Sequence, residues 1–279
     1  MGSAQSVIPF TKVYAGGNDF VVLNGTRKKV VVTPRIAKQL CHRRRGVGGD
    51  QLLLITGGKK TDYRLSIFNA DGSVAETCGN GLAAAALVLR EEGLYKGNLV
   101  SFETLGGIKI VKAVGKNFKV DMADPVMKGK EIPVTLSGRV VNRPIKVDNK
   151  NLRITCLSLG NPHCVIFVED VENFPVGQIG PAVEALSIFP NKTNVEFVQP
   201  LSKELIKMRV WERGVGETDG CGSGSCAAAV ASVLNGFTGR KVDVEQRGGR
   251  LTVEWDQKTS HVFLTTFASV VFKGEARLQ

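Results

Sequence analysis

Short runs of apolar residues, many of them β-branched, recur along the chain between polar and glycine-rich stretches. Such runs are typical of strands, because branched side chains pack well on a pleated surface. Together with three helical segments they predict a mixed α/β fold. The runs that predict strands are, in chain order, 20–23, 30–32, 52–55, 65–68, 108–111, 154–157 and 164–168.

Three segments carry helix signals. Residues 34–42 follow Thr33, a residue type favoured at the N-cap, and they open with a proline, which suits the first helical position. Residues 83–89 and 227–234 are small and apolar on all sides, which predicts helices buried in a domain core. Residues 125–151 are rich in proline, lysine and asparagine, and they predict a linker or a crossing of the chain between two halves.

The two apolar helices belong to an internal repeat. Each follows a Cys-Gly-x-Gly motif, and the second motif, at Cys221, comes 143 positions after the first, at Cys78. One constant spacing that aligns several polar positions without a gap indicates duplicated architecture. The same spacing pairs Asn18 with Asn161, Gln51 with Asn194 and Asn69 with Glu212.

The repeat predicts an α+β fold made of two pseudo-symmetric, mixed α/β half-domains, with the active site in the cleft between them. The N-terminal half-domain is expected to span residues 1–123 and the C-terminal half-domain residues 124–266. A last strand, within residues 267–279, is expected to join the N-terminal half-domain.

Composition narrows the class of protein. The chain has 279 residues, 43% hydrophobic and 23% charged, which excludes a disordered or collagen-like chain. No run approaches the roughly 18 consecutive apolar residues that a membrane helix needs. Residues Met1 to Ser3 resemble an expression remnant rather than a targeting signal. We therefore expect a cytoplasmic protein that does not bind membranes.

The net charge of +11 raises the question of an anionic partner. Basic residues are spread along the chain, and the one dense cluster, 43–45, runs into a glycine turn without an aromatic stacking motif. The charge therefore favours solubility and the attraction of small anionic molecules, and we do not expect nucleic-acid binding.

Six cysteines are present, but none forms a Cys-x-x-Cys pair. Only Cys221 and Cys226 approach metal-ligand spacing, and no histidine lies beside them, so we expect no metal site. A disulfide framework is not expected in a cytoplasmic protein of this size. Cys41, Cys156 and Cys164 lie in apolar stretches and are expected to be buried as small hydrophobic residues.

Cys78 and Cys221 have a different context, because each stands at the start of a helix within the repeat. A helix N-terminus favours a thiolate and lowers its pKa, and its free N–H groups can hold a carboxylate. If the halves meet at a cleft, one cysteine can remove an α-proton while the other donates a proton to the opposite face. This arrangement predicts a racemase or epimerase. The alternative is that both cysteines only pack the helix starts.

The motifs around these residues carry a family resemblance over nearly the whole chain. The sequence resembles the diaminopimelate epimerase family, cofactor-independent amino-acid epimerases of lysine and peptidoglycan biosynthesis. The matching motifs are Gly16-Gly-Asn-Asp-Phe20, Gly46-Val-Gly-Gly-Asp-Gln51, Phe68-Asn-Ala-Asp-Gly-Ser73, Cys78-Gly-Asn-Gly81, Gly160-Asn-Pro-His-Cys164, Thr193-Asn-Val-Glu-Phe197, Glu212-Arg-Gly-Val-Gly-Glu-Thr218 and Cys221-Gly-Ser-Gly224.

The resemblance implies a role for each of these positions. Cys78 and Cys221 would exchange the proton, with His163 and Glu212 modulating the thiol pKa values. No cofactor would be needed, and no glycine-rich nucleotide fingerprint is present. The residues that would bind the small amino-acid substrate are Asn18, Gln51, Asn69, Gly79, Asn80, Asn161, Asn194, Glu212, Arg213, Gly222 and Ser223. Among them, Asn69, Asn194 and Arg213 would grip a distal carboxylate.

Three positions depart from the family pattern. Ala83 lies where many relatives carry an arginine, and Asp219 lies where small or apolar residues are usual. A carboxylate that close to Cys221 would raise the pKa of the thiol if both faced one pocket. Phe272 stands where relatives often have a tyrosine that helps to form the homodimer that the family implies.

Three functions are consistent with these observations. The first is diaminopimelate epimerase, favoured because Arg213 and three amides suit a substrate with a second carboxylate. The second is a cofactor-independent racemase of another amino acid, such as histidine, on the same fold. The third is a basic, non-catalytic binding protein, which the intact pair of Cys78 and Cys221 disfavours.

Overall fold

The chain forms two compact units in the computed structural model, which describes residues 7–148 and 150–277. Unit 1 contains the described residues up to Val120 and those from Thr266 onward, and unit 2 runs from Asp121 to Thr265. Each unit is a mixed α/β structure, and together the described residues contain four α-helices. The prediction of a mixed α/β fold is confirmed.

The elements of unit 1 alternate two strands, a helix, three strands, a helix and further strands. They are β1 (Val7–Ala15), β2 (Asn18–Asn24), α1 (Pro34–Cys41), β3 (Gln51–Gly57), β4 (Tyr63–Asn69), β5 (Val74–Ala75), α2 (Gly79–Glu91), β6 (Leu99–Thr104), β7 (Gly107–Val114) and β8 (Asn117–Asp121).

Unit 2 opens with a short 3-10 helix (Gly129–Glu131), followed by three strands, a helix, three strands, a helix and further strands. They are β9 (Arg143–Val147), β10 (Lys150–Ser158), β11 (Pro162–Phe167), α3 (Val176–Glu184), β12 (Asn194–Pro200), β13 (Leu205–Glu212), β14 (Gly216–Thr218), α4 (Gly222–Leu234), β15 (Lys241–Gln246) and β16 (Gly249–Trp255). The last strand, β17 (Val262–Arg277), begins in unit 2 and ends in unit 1.

Strand pairing within each unit follows from the connections. The β2–β3 and β11–β12 pairs are parallel, and each is joined through a helix, α1 or α3, as a parallel pair requires a crossover. The directly connected pairs β1–β2, β3–β4, β10–β11 and β12–β13 are antiparallel. The other edge of β1 pairs with β17, from Ala15 opposite Ala268 to Val7 opposite Arg277.

The central helices of the two units, α2 and α4, are the predicted apolar segments. Each has 13 residues, and alanines give each a narrow surface that strands can approach closely. Eleven consecutive residues are buried in each helix, from Gly79 to Leu89 and from Gly222 to Ser232. The prediction of two helices inside domain cores is therefore confirmed. Cys41, Cys156 and Cys164 are also buried, as expected.

Most local predictions agree with the structure. Helix α1 begins at Pro34, and the N–H of Ile36 donates a hydrogen bond to the Thr33 hydroxyl at 3.3 Å, which confirms Thr33 as the N-cap. Six of the seven predicted strands lie in β2, β3, β4, β7, β10 and β11, although β11 ends at Phe167, one residue earlier than expected.

The strand predicted at 30–32 is wrong. These residues have no regular structure, because the run is short and leads directly into the Thr33 cap and Pro34. Val30 and Val32 pack against the core of unit 1, while Val31 is 62% exposed. The alternation of buried and exposed side chains is therefore that of an extended segment without a pairing strand.

Residues 125–151, predicted to be a linker or a crossing of the chain between two halves, are instead an integral part of unit 2, so this prediction is also wrong. Ile132, Val134, Val140 and Val147 are buried in the core of unit 2, and β9 pairs with β10. The described lysines and asparagines of this segment are exposed between these anchors, which is why the composition resembled a linker. No helix in the described residues is long and apolar enough to cross a membrane.

Candidate active site

Cys78 is the N-cap of α2. Its backbone is extended, with φ −151° and ψ 112°, so the helix begins at the next residue and the side chain turns back over the first turn. The N–H of Gly81 donates a hydrogen bond to Cys78 Sγ at 3.3 Å. Cys78 is partly exposed. A sulfur atom thus occupies the position that a serine or aspartate oxygen usually takes at a helix start.

Cys221 caps α4 with the same geometry, at φ −139° and ψ 116°. The N–H of Gly224 donates to its Sγ at 3.4 Å, and the Ser223 hydroxyl lies 3.5 Å from the same sulfur. The Cys221 N–H donates to Gln246 Oε1 at 3.1 Å, which fixes the backbone at the cap. Sequence analysis missed Gln246, because it lies on β15, after the helix.

Cys221 does not have the lowered pKa that the helix N-terminus predicts. Burial raises the pKa of its thiol well above the ordinary value, and the carboxylates of Glu212 and Glu196 raise it further. The hydrogen bonds from Ser223 and Gly224 act in the opposite direction but do not prevail. Two donors at a helix end cannot offset the loss of water and two negative charges.

The side chains of the substrate-binding candidates in unit 1 form two hydrogen-bonded pairs, Asn80 with Asn18 and Gln51 with Asn69. Asn80 Nδ2 donates to Asn18 Oδ1 at 2.9 Å and to the Gly16 carbonyl at 3.0 Å. Gly16 has a positive φ of 54°, and a Cβ there would lie 2.3 Å from Asn80 Oδ1, so only glycine fits. Gln51 Nε2 donates to Asn69 Oδ1 at 2.9 Å, across the β3–β4 pair.

Two buried carboxamide oxygens of this set, Gln51 Oε1 and Asn80 Oδ1, have no hydrogen-bond partner within the described ranges 7–148 and 150–277. Buried acceptors normally find a donor, because leaving one unpaired costs free energy. These two oxygens are therefore suited to accept N–H donors from a bound molecule.

Two aspartates that sequence analysis missed connect the starts of β2 and β3, where Asn18 and Gln51 lie. Asp19 N–H donates to the Asp50 carboxylate, and Asp50 N–H donates to the Asp19 carboxylate, both at 3.1 Å. Lys12 contacts Asp19 at 2.6 Å, and Arg43 bridges both aspartates at 2.8 Å. We call these four residues the aspartate clamp. Its only sequence signal is an aspartate beside each binding candidate.

The candidates of unit 2 form a longer chain of contacts. Asn161 Nδ2 donates to the Ser223 hydroxyl at 3.2 Å, and Asn161 Oδ1 lies 3.0 Å from His163 Nε2. On its other side, His163 Nδ1 lies 2.7 Å from Glu196 Oε1. His163 and Glu196 are both fully buried. Glu196 was quoted within a motif but given no role by sequence analysis.

Asn194, Glu212 and Arg213 lie where β12 faces the end of β13. The Arg213 N–H donates to Asn194 Oδ1 at 2.9 Å, and Asn194 Nδ2 donates to the Pro162 carbonyl at 2.9 Å. Thr218 donates its hydroxyl proton to Glu212 Oε1 at 2.5 Å. The structure therefore connects Asn18 to Asn80, in the first turn of α2 after the Cys78 cap, and Gln51 to Asn69. It connects Asn161, His163 and Ser223 to the Cys221 cap.

The three departures from the family pattern lie in different surroundings. Asp219 is exposed, and the carboxylates that raise the pKa of Cys221 are those of Glu212 and Glu196 instead. Ala83 is buried inside α2. Phe272 is 47% exposed on β17, and its ring contacts that of Phe10 edge-on, with centroids 5.8 Å apart. Across 7–148 and 150–277, no group of three or more His, Cys, Asp or Glu side chains could hold a metal ion.

The family model and the relatives found by sequence agree on the family. The model described as diaminopimelate epimerase matches residues 10–128 and 155–276. The diaminopimelate epimerase of Moorella thermoacetica is 45% identical over 273 residues, which cover 95% of this chain and 98% of that protein. The one from Methanococcus maripaludis is 40% identical over 272 residues, with the same coverage of both chains.

Solved structures with much lower identity share the fold. A hydroxyproline epimerase from Agrobacterium vitis has a TM-score of 0.75 at 12% identity, covering 98% of this chain and 92% of that one. A phenazine biosynthesis protein from Bacillus anthracis has a TM-score of 0.72 at 18% identity, covering 98% of this chain and all of the other.

Proposed function

Because the chain belongs to the diaminopimelate epimerase family, we propose that it interconverts L,L- and meso-diaminopimelate without a cofactor. The observation that carries this proposal is the pair of cysteine N-caps, Cys78 on α2 and Cys221 on α4. An enzyme with a single catalytic base needs one such residue. Two equivalent ones suit a reaction in which one face of a carbon loses a proton and the other gains one.

The proposal includes two pseudo-symmetric half-domains that share one site. Its support is the matching order of elements: α2 and α4 begin at residues 79 and 222, and β3 and β12 begin at 51 and 194. The family model also matches two segments of similar length. On this proposal, Cys78 and Cys221 flank a single substrate carbon.

The reaction follows from the chemistry of these groups. One cysteine, as a thiolate, takes the α-proton, and the electron pair of the C–H bond moves into the adjacent carboxylate. The other cysteine, as a thiol, delivers its proton to the opposite face, so the centre inverts and the cysteines exchange protonation states. In the reverse direction their roles exchange. The charge that develops on the carboxylate is stabilised by backbone N–H groups at the helix starts.

Substrate binding is divided among the remaining candidates. Gly79, Asn80, Gly222 and Ser223 would hold the reacting carboxylate, because they form the first turns of α2 and α4. Glu212 would bind the reacting ammonium group. Arg213, with Asn69 and Asn194, would bind the distal carboxylate. The unpartnered Gln51 and Asn80 oxygens are suited to ammonium N–H groups.

The biological setting is part of the same proposal. Interconversion of diaminopimelate stereoisomers belongs to lysine and peptidoglycan biosynthesis, which takes place in the cytoplasm. A homodimer is proposed from the family alone, with β17 and its exposed Phe272 as the region to examine.

Solvent isotope exchange tests the function. The protein is incubated in D2O with L,L-diaminopimelate, glutamate or histidine, and deuterium at the α-carbon is measured by mass spectrometry. We expect exchange on diaminopimelate alone. Exchange on histidine alone would indicate another racemase, and exchange on none of the three would favour a binding protein.

Cysteine variants test the two-base chemistry. We expect Cys78→Ala and Cys221→Ala each to slow inversion about 100- to 10,000-fold, the usual contribution of a general acid or base. Cys226→Ala, in the same helix as the Cys221 cap but away from its first turn, is the matched control and should keep its activity. If either cap variant inverts diaminopimelate at the wild-type rate, the mechanism is wrong.

A further inference from the structure

Glu196 is a fully buried carboxyl group that the proposed mechanism does not use. It lies in β12 within five consecutive buried residues, 194–198. Its Oε1 contacts His163 Nδ1 at 2.7 Å, and its Oε2 has no hydrogen-bond partner among residues 7–148 and 150–277. A buried charged group with one unpaired oxygen costs stability, so its presence in a core strand calls for a role.

Unit 1 contains the same arrangement without the charge. At the spacing of the repeat, Leu53 stands where Glu196 stands, and Phe20 stands where His163 stands. A Cβ added to Gly81 would lie 3.3 Å from Leu53 Cδ2, and one added to Gly224 would lie 2.8 Å from Glu196 Oε1. Leucine therefore fills this place under the α2 start as well as glutamate does under the α4 start, and packing does not explain Glu196.

The contacts from Glu196 to Cys221 have a definite hydrogen-bond direction. Because Asn161 donates through Nδ2 to Ser223, its Oδ1 faces His163 Nε2 and can only accept. Nε2 must then carry a proton. One further proton lies between Nδ1 and Glu196 Oε1, on either atom. Ser223, having accepted from Asn161, keeps its own hydroxyl proton for Cys221 Sγ, 3.5 Å away.

We propose that Glu196 is a positioning residue that keeps His163 protonated at Nε2 and thereby directs the Ser223 hydroxyl proton toward Cys221. As a carboxylate, Glu196 accepts from Nδ1–H, and as a carboxylic acid it donates to Nδ1. Nε2 carries a proton in both states. The role in catalysis rests on the proposed function, since it concerns the protonation of Cys221.

Removal of Glu196 allows the hydrogen bonds that join His163, Asn161 and Ser223 to reverse their direction. With an apolar residue at 196, a neutral His163 can move its proton to Nδ1, and Nε2 then accepts from the Asn161 amide. Asn161 would turn its oxygen to Ser223, and the Ser223 proton would point to Asn161 instead of Cys221. The Cys221 thiolate would then lose one of its two donors, leaving the N–H of Gly224.

Other titratable groups lie near Glu196, His163 and Cys221 and affect the pKa values of the same side chains. Burial raises the pKa of Glu196, while His163 opposes that shift. Burial is the main cause that raises the pKa of Cys164 and Cys221. Cys156 and Glu196 raise that of Cys164 further, and Glu212 and Glu196 raise that of Cys221 further. The test therefore measures the His163 protonation site directly, in addition to activity.

The test compares Glu196→Leu with Glu196→Gln. Leucine copies unit 1, whereas glutamine can still donate an N–H to His163 Nδ1. Nitrogen NMR of protein labelled with 15N-histidine reports which ring nitrogen carries the proton, and His163→Phe identifies the signal among three histidines. We expect a protonated Nε2 in the wild type and in Glu196→Gln, and loss of that state in Glu196→Leu.

Kinetics on diaminopimelate provide the second measurement. We expect Glu196→Leu to lower kcat about 10- to 100-fold, as loss of an outer partner of a functional histidine commonly does, and to change KM little. Glu196→Gln should restore most of kcat. Val198→Ala, on the same face of β12, is the matched packing control and should keep kcat and the His163 signal.

The outcomes separate the two proposals. An unprotonated Nε2 in the wild type, or an unchanged His163 signal in Glu196→Leu, overturns the positioning role. So does a fall in kcat that Glu196→Gln does not restore. If the wild type exchanges no proton of diaminopimelate, the proposed function is wrong. The NMR measurement would still show the direction of the hydrogen bonds that join His163, Asn161 and Ser223.

Discussion

Individual charged residues hold the binding loops of unit 1, and the aspartate clamp is the clearest case. Each aspartate accepts the backbone N–H of the other, so the start of β2 and the residue before β3 are fixed to each other. Lys12 and Arg43 neutralise the pair. Asn18 also donates to Asp50, at 3.4 Å, so the clamp sets the position of a proposed substrate contact.

The clamp predicts a dependence of stability on acid pH. Burial alone would raise the pKa of Asp19, but hydrogen bonds and charge from Arg43 and Lys12 hold it below its ordinary value of 3.8. A lowered folded-state pKa stabilises the protein above the unfolded-state value, and this stability is lost as pH falls below it. We expect Asp19→Asn to cost about 3 kcal/mol at neutral pH and to flatten the loss of stability below about pH 4.

Denaturant unfolding between neutral and acid pH measures this effect. Asp50→Asn is the control, because burial and Asp19 raise the pKa of Asp50 instead of lowering it. That variant should keep the steep loss in acid. An Asp19→Asn protein that loses stability in acid as steeply as the wild type would contradict the assignment.

The sequence alone identified the residues with a strong local signal and missed those defined by contacts. The position of Cys78 and Cys221 at helix starts could be predicted, because the repeated motif and the apolar helix after it are contiguous in the chain. Asp19, Asp50 and Glu196 were quoted inside motifs, but their partners lie on other strands or loops. No periodicity shows which strands will be neighbours, so their roles required the structure.

At the scale of the elements, the two units differ in the residue that packs against the first turn of the central helix. Strand β3 presents Leu53 to the first turn of α2, and β12 presents Glu196 to the first turn of α4. Glycine at the third position of each helix allows the strand to approach closely. The residue packed against the first turn is therefore apolar in α2 and ionisable in α4.

This difference predicts unequal effects of the same substitution. In Gly224→Ala, the new methyl would lie 2.8 Å from Glu196 Oε1, which His163 holds in place. In Gly81→Ala, its nearest contacts are 3.3 Å away, and alanine favours the helix by about 1 kcal/mol. We expect Gly224→Ala to destabilise by about 1–3 kcal/mol, as overpacking does, and Gly81→Ala to be nearly neutral.

Thermal unfolding of the two variants provides the comparison, with each acting as the other's control. Equal shifts in Tm would show that Glu196 moves aside for the new methyl group as easily as Leu53 does, which contradicts the prediction. The His163 signal in labelled Gly224→Ala would then also be expected to match the wild type.

The predictions of two elements were wrong because local composition suggested one structure and tertiary packing produced another. Residues 30–32 have the composition of a strand, but they lead into the α1 cap, and Val31 is exposed. Residues 125–151 have the composition of a linker, yet four of their apolar side chains anchor them in the core of unit 2. Sparse anchors among polar residues produce no period, so neither outcome could be read from a short window.

At the scale of the whole molecule, one strand serves both units. The first residues of β17 pair with β16 in unit 2, from Val262 opposite Trp255 to Thr265 opposite Thr252. The later residues pair with β1 in unit 1, from Ala268 to Arg277. The sheet of unit 1 is therefore completed by residues from the other end of the chain.

Truncation tests the dependence of unit 1 on β17. A chain ending at Thr265 keeps the β16–β17 pairing but leaves β1 without that neighbour. We expect limited proteolysis to cut this chain within residues 7–120 while residues 121–265 stay resistant. Val271→Thr, at an exposed position of β17, should be as resistant as the wild type. Equal protection of residues 7–120 after truncation would show that β17 contributes little to unit 1.

The position of β17 also governs the order of events while the protein is being made. Domains generally fold from the amino terminus as the ribosome releases them. Here the sheet of unit 1 must wait for residues 266–277, whereas residues 121–265 of unit 2 are available sooner. The nascent chain consequently exposes an unfinished β1 edge until residues 268–277 have left the ribosome, and during that period it needs protection from aggregation.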